Sequence, residues 1–290
     1  MFKGSIVAIV TPFTNGKVNY EKLRELVEFQ IEGGTDAIVP CGTTGEASTL
    51  DYDEHIGVIK TVIEQVNKRV PVIAGTGSNA TAEAIELTQL AKDAGADGCL
   101  LVTPYYNKPT QEGLFRHYSA VADGVAIPQI LYNVPGRTGV NMLPETVARL
   151  SANKNIVAIK EATGSLQQAS EILALCGDRI DVLCGDDFIT FPMMCCGAKG
   201  VISVLANIMP KAVGDLTDAY FAGDLATARK LHLDTLKIGN AMFIESNPIP
   251  VKTALGLMGK CSDEVRLPLC PMSEANTSKL AAIMKEYSLI

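Results

Sequence analysis

In the stretch Gly95-Ala96-Asp97-Gly98-Cys99-Leu100-Leu101-Val102-Thr103 one kind of patterning stops and another begins. Upstream, Ala84, Leu87, Ala91 and Ala94 recur at the three- and four-residue spacing of a helix face. Gly95 can adopt the left-handed conformation that closes a helix. Gly98–Thr103 is then a short, continuous apolar run, which suits a strand covered on both faces. The same junction recurs at Gly34-Thr35-Asp36-Ala37 and at Gly197-Ala198-Lys199-Gly200, a weak internal repeat.

Working outward, the chain contains seven further runs of this kind: Ser5–Val10, Ala37–Cys41, Pro71–Ala74, Pro128–Asn133, Ile156–Lys160, Asp181–Cys184 and Gly200–Val204. They lie roughly 20 to 35 residues apart, room for the helical crossover that parallel strands require. Leu23, Leu26, Val27 and Ile31 mark one such helix, and Asn19 and Asn79 are candidate N-caps. Eight strand-helix units predict an α/β fold, a (β/α)8 TIM barrel, over residues 1–223. From Asp224 the strand-like runs cease and helical spacing continues through Ala228, Leu231 and Leu236, broken at Asn247-Pro248-Ile249-Pro250. Residues 224–290 are therefore expected to form a C-terminal helical extension.

Composition narrows the function classes. The 290 residues are 47% hydrophobic and 20% charged, and the net charge of −7 comes without any basic run. Nucleic acid is thus an unsuitable partner. No stretch approaches the ~20 apolar residues of a membrane span, and Ile6–Val10 is too short for a signal peptide. Eight cysteines with no C-x-x-C spacing read as reduced thiols of a cytoplasmic protein. His55, His117 and His232 are too dispersed for metal chelation, and Cys195-Cys196 are adjacent, so no metal is expected.

In such a barrel, chemistry belongs at the carboxyl ends of the strands. Ile156-Val157-Ala158-Ile159-Lys160-Glu161 ends in a lysine that shares its face with Ile156 and Ala158. An ordinary lysine near pKa ~10.4 is neutral in only about one molecule in a few thousand at pH 7. Burial in the barrel would free the amine to attack a ketone as a Schiff-base nucleophile. The competing reading is a strand-end lysine that faces solvent or pairs with Glu161. Tyr132 closes the fifth strand with a phenol able to pass protons, or is a core tyrosine. Gly42-Thr43-Thr44-Gly45 can turn into a small anion cradle, or be an ordinary strand-to-helix turn. Arg137, on a proline-stiffened loop, can clamp a carboxylate bidentately, or be solvated.

A decoy competes with this reading. Gly75-Thr76-Gly77-Ser78-Asn79-Ala80 formally fits a dinucleotide fingerprint, with Asp97 about twenty residues on. Yet the unit is the third of eight, and Asp97 precedes its strand where the ribose-binding acid would end it. No cofactor is expected.

Taken together, Gly42-Thr43-Thr44-Gly45-Glu46, Tyr105-Tyr106-Asn107-Lys108-Pro109, Tyr132-Asn133-Val134-Pro135-Gly136-Arg137-Thr138, Lys160-Glu161-Ala162 and Asn247-Pro248-Ile249-Pro250-Val251-Lys252 resemble the dihydrodipicolinate synthase family of pyruvate-dependent class I aldolases. The pieces run in order over nearly the whole chain. The resemblance implies a lyase that condenses pyruvate with L-aspartate 4-semialdehyde, assembled as a homotetramer of two tight dimers. It implies that Lys160 forms the imine and that Thr43, Tyr132 and Tyr106 relay protons, Tyr106 across the dimer interface. Thr44, Ile202 and Gly185 would hold pyruvate, and Arg137 the semialdehyde carboxylate. It further implies feedback inhibition by L-lysine at a separate interfacial cleft formed by Ser48, His55, Asn79, Glu83 and Tyr105. Tyr52 departs from the pattern, standing where responsive members carry a histidine. Sibling enzymes, an N-acetylneuraminate lyase or a 2-keto-3-deoxy sugar acid aldolase, share the lysine but generally lack the arginine.

Overall fold

The computed structural model describes residues 2–290. Eight strands form one parallel sheet: β1 (Gly4–Ala8), β2 (Ala37–Val39), β3 (Ile73–Gly75), β4 (Gly98–Val102), β5 (Gln129–Asn133), β6 (Ile156–Glu161), β7 (Asp181–Cys184) and β8 (Gly200–Ser203). Each expected apolar run overlaps one of them, three of the strands extending one residue past the expected bounds. β1 pairs with β8, placing Ile6 beside Ile202, and with β2, placing Ile6 beside Ala37. The ring closes where Ile38 bridges Val72 and the Gly75 amide donates to the Pro40 carbonyl at 2.9 Å.

Side-chain alternation sorts each strand into two environments. Ile6, Ala37, Ile73, Leu100, Ile130 and Ala158 fill the barrel interior. Val7, Ile38, Leu101, Leu131, Ile159 and Val201 face outward into the layer packed under the helices. Those helices are α1 (Tyr20–Glu32), α2 (Tyr52–Val66), α3 (Thr81–Ala94), α4 (Gln111–Gly124), α5 (Pro144–Leu150), α6 (Leu166–Cys176), α7 (Thr190–Cys196) and α8 (Pro210–Phe221). Three more follow, α9 (Leu225–Ala241), α10 (Ile249–Leu257) and α11 (Glu274–Glu286). α10 is buried from Ile249 through Leu255, Lys252 included, and its mostly apolar circumference suits an interior helix.

The internal repeat has a structural cause. Gly95 and Gly197 close α3 and α7 at φ +97° and +121°. Asp36 and Asp97 then perform equivalent tasks: the Ser5 amide donates to Asp36 Oδ2 at 2.7 Å, and the Val72 amide to Asp97 Oδ2 at 2.8 Å. Each aspartate ties its strand entrance to the neighbouring strand, at the end of the barrel away from the chemistry.

Two local expectations divide. Asn19 caps α1, its side chain accepting from the Lys22 amide. Asn79 does not cap α3: Ala80 holds that position without a side-chain bond. Asn79 Oδ1 instead accepts from the Tyr105 amide at 3.0 Å, tying the loop after β4 to the start of α3. A hairpin, Phe13–Thr14 with Lys17–Val18, also interrupts the path from β1 to α1. Its Asn15-Gly16 turn has φ of 52° and 77°, the positive pair that a two-residue hairpin demands.

Among the described residues no helix is long and apolar enough to cross a membrane. All eight cysteines are free, five of them buried and Cys195, Cys196 and Cys270 exposed.

Candidate active site

Because Ala158 and Lys160 share the inner face of β6, the lysine side chain enters the barrel mouth, only 5% exposed. Parallel pairing sets Tyr132 on β5 directly beside it. Lys160 Nζ lies 4.4 Å from the centre of the Tyr132 ring. Glu161 faces the other way: its carboxylate accepts from Thr163 N (2.8 Å), Asn133 Nδ2 (3.2 Å) and Gln168 Nε2 (3.3 Å). Burial raises its pKa against those hydrogen bonds. Pairing of Lys160 with its chain neighbour is thus precluded by strand alternation.

Gly185, after β7, makes room for the lysine. A Cβ there would fall 2.5 Å from Ala162 Cβ and 3.1 Å from Lys160 Cε. Ile202 on β8 is fully buried inside the barrel. The next residue, Asp186, escaped the sequence reading. Burial pushes its carboxyl up to about 6, while the Lys160 charge opposes that shift and Asp187 and Glu161 reinforce it. Its signal was available, since the acidic pair Asp186-Asp187 follows a barrel strand after a single glycine.

The threonine loop after β2 is held from several sides. The Thr11 hydroxyl donates to the Gly45 carbonyl at 2.6 Å. Thr44 is 2% exposed, and its Oγ1 accepts from Asn247 Nδ2 at 3.0 Å. Glu46, at φ 55°, places its carboxylate 2.6 Å from Lys252 Nζ, with both side chains inaccessible to water. Burial draws the Lys252 pKa down and Glu46 opposes the shift. Arg137 occupies a one-turn helix, Pro135–Thr138, and its Nη2 donates to the Asn247 carbonyl at 3.0 Å.

A cavity of about 400 Å³ brings Thr43, Tyr132 and Arg137 together. The same cavity extends to Ser48, His55, Glu83 and Tyr105. His55 Nε2 donates to the Gly75 carbonyl at 2.7 Å, and burial lowers the pKa of the ring. Glu83 is hydrogen-bonded to Ser78. Tyr52 also lines this end; burial and the charges of Glu83 and Glu86 push its phenol up to about 12. Tyr106 is absent from the lining. It is 91% exposed, in the left-handed region at φ 66°, and projects from the loop after β4.

The glycines of the decoy motif serve the barrel. A Cβ on Gly75 would lie 2.0 Å from the Cys41 carbonyl oxygen, and one on Gly77 would lie 2.4 Å from the Val102 amide. Strands pressing on both positions account for the glycines. Asp97, tied to the Val72 amide, lies at the entrance of β4 and not at its end.

Residues 1–287 match the Dihydrodipicolinate synthetase family. The 4-hydroxy-tetrahydrodipicolinate synthase of Geobacter metallireducens is 87% identical over 290 residues, all of both chains. A crystal structure of the chloride-inhibited dihydrodipicolinate synthase from Acinetobacter baumannii, complexed with pyruvate, superposes with a TM-score of 0.98 at 50% identity over all of both chains. That of the Cyanidioschyzon merolae enzyme with lysine bound gives 0.97 at 38% identity, covering 100% of this chain and 99% of the other. With a buried lysine inside the barrel mouth and full-length relatives at this identity, the chain belongs to the Dihydrodipicolinate synthetase family.

Proposed function

We propose that the chain is a Schiff-base lyase that condenses pyruvate with L-aspartate 4-semialdehyde to give 4-hydroxy-tetrahydrodipicolinate, the first committed step toward diaminopimelate and lysine. The observation that carries this reading is Lys160 inside the barrel mouth against Tyr132, which lines one cavity with Arg137. The Lys160 amine adds to the pyruvate ketone, and loss of water gives the iminium. Removal of a methyl proton then gives an enamine, whose carbon attacks the aldehyde. Each of these steps moves a proton beside the imine, the task assigned to Thr43, Tyr132 and Tyr106. The substrate amine then displaces Lys160 from the imine carbon, closing the ring and freeing the enzyme. Thr44, Ile202 and the Gly185 backbone are assigned to pyruvate, and Arg137 to the semialdehyde carboxylate. Borohydride reduction with pyruvate, followed by peptide mapping, tests the reading: label on Lys160 supports it, and label elsewhere or none refutes it.

A homotetramer of two tight dimers is part of this proposal, as is a cytoplasmic setting, which suits eight unpaired thiols. Tyr106 motivates the dimer, because a strained and almost fully exposed aromatic residue outside its own cavity is free to complete a neighbour's site. Tyr106→Phe is expected to lower kcat about 100-fold, the scale of losing one proton-transfer group. Mixing Tyr106→Phe chains with inactive Lys160→Ala chains should restore activity, since a mixed dimer holds one intact site. No recovery in verified mixed dimers would refute the shared site.

L-lysine is proposed as a feedback inhibitor bound by Ser48, His55, Asn79, Glu83 and Tyr105. The Glu83 carboxylate suits an ammonium, and the Tyr105 phenol and His55 add polar contacts at the same end of the cavity. The lysine-bound structure of the Cyanidioschyzon merolae relative supports this reading. Initial rates should fall across a lysine titration, and lysine affinity should change when pyruvate occupies Lys160, because coupling is reciprocal. Unchanged rates at millimolar lysine with no heat of binding would remove this site.

A further inference from the structure

The buried ion pair between Glu46 and Lys252 stands outside the chemistry proposed above. Two rungs connect the threonine loop to the segment that opens α10. In one, Asn247 Nδ2 donates to Thr44 Oγ1 at 3.0 Å. In the other, Lys252 Nζ meets Glu46 Oε1 at 2.6 Å, with 0% and 1% of the side chains exposed. The rungs are two residues apart on the loop and five apart on the other segment. Lys252 also lies 4.1 Å from the centre of the Phe13 ring, and Glu46 Oε2 accepts from the Arg266 amide at 3.1 Å. Phe13 and the Arg266 amide thus flank the pair, while Asn247 reaches forward to Thr44 and to Arg137, which lines the cavity.

What Asn247 does there is directional. By donating into Thr44 Oγ1, its amide occupies an acceptor position of the hydroxyl and leaves the hydroxyl hydrogen to point elsewhere, as a donor. Its backbone carbonyl takes Arg137 Nη2 at 3.0 Å, holding the guanidinium at the mouth. One residue thus touches both groups assigned to the substrate carboxylates. A buried ion pair is a weak source of stability compared with apolar residues of similar volume. Its distance and direction are nevertheless specific, which suits a part that sets position.

We infer that Glu46 and Lys252 are positioning residues, whose ion pair seats Asn247 so that Thr44 and Arg137 are held ready for pyruvate and for the second carboxylate. The inference rests on the substrate roles proposed for Thr44 and Arg137. Misplacement by about 1 Å can cost roughly 100-fold in rate, so modest slack in this segment should be visible in kinetics.

The test uses the neutral pair Glu46→Gln/Lys252→Met, which leaves no orphan charge, together with Asn247→Ala and the triple variant. The neutral pair is expected to keep a Tm near that of the unmodified enzyme while KM for pyruvate and for the semialdehyde rises about tenfold or more. Asn247→Ala should raise the same constants, and the triple variant should be no worse than Asn247→Ala, because all three changes act along one path. Normal KM and kcat in a folded neutral pair would overturn the inference, as would losses in the triple variant that multiply. Should the neutral pair not fold, Asn247→Ala with unchanged KM overturns it alone. Borohydride trapping of pyruvate on the unmodified enzyme separates the two levels. Its absence refutes the lyase reading, whereas trapping at Lys160 with unmoved KM values in the variants refutes only the positioning role.

Discussion

Lys160→Ala is expected to lose essentially all activity, a fall on the order of 10⁴-fold or more, and to abolish pyruvate labelling under borohydride. The size follows from the chemistry: without the amine there is no imine, so neither the enamine nor a covalent foothold for the second substrate exists. The folded structure should tolerate the change. Lys160 makes a ring contact with Tyr132 and interacts electrostatically with Asp186, both at the barrel mouth and not in the layer under the helices. Circular dichroism and Tm should therefore remain close to those of the unmodified enzyme. A Lys160→Ala protein that still incorporates label, or that retains appreciable turnover, would move the nucleophile to another residue.

Arg137→Ala is expected to reduce kcat/KM for L-aspartate 4-semialdehyde by about 10- to 150-fold. That range converts the ~1.5–3 kcal/mol of a hydrogen bond to a charged group, at 1.36 kcal/mol per tenfold. The guanidinium is already tethered by the Asn247 carbonyl, so part of its ordering precedes binding, and the upper end of the range is reachable. Pyruvate trapping at Lys160 should survive, because Arg137 lies on the loop after β5 and not on the strand that carries the lysine. Equal loss of trapping and turnover would make the arginine a structural residue. Turnover of N-acetylneuraminate exceeding that of the semialdehyde in the unmodified enzyme would reassign the substrate.

The barrel was legible because its signals are local. Ala158 and Lys160 share a face through simple alternation, and the junctions at Gly95 and Gly197 recur with the fold's own period. The hairpin turn Asn15-Gly16 was equally local and was overlooked, because the run before it already accounted for β1. Other features depend on partners far along the chain. Asn79 has the composition of a cap but bonds to Tyr105, 26 residues away, so pattern alone misdirects. Asn247 and Lys252 stood out through resemblance, while their contacts with Thr44 and Glu46 span 203 and 206 residues and left no periodic trace. The continuity of the cavity from Tyr132 to Glu83 likewise depends on where β3 and β5 sit around the barrel. Asp186 was readable by position, but the upward shift of its carboxyl arises from burial that only the folded barrel supplies.

The span between Glu46 and Lys252 also fixes an order of manufacture. At 5–20 residues per second, a ribosome needs about 10–40 s to travel the 206 residues from the acid to its base. During that interval the nascent chain gains Tyr132, Arg137, Lys160 and the remaining six strands, β3 to β8, while the Glu46 carboxylate must remain hydrated or pair transiently. A chain interrupted before Asn247 carries the amine proposed to react with pyruvate, yet lacks both contacts that tie Thr44 and Glu46 to the opening of α10. On the roles proposed for Thr44 and Arg137, translation of the last stretch of message supplies the contacts that brace the substrate end of the site.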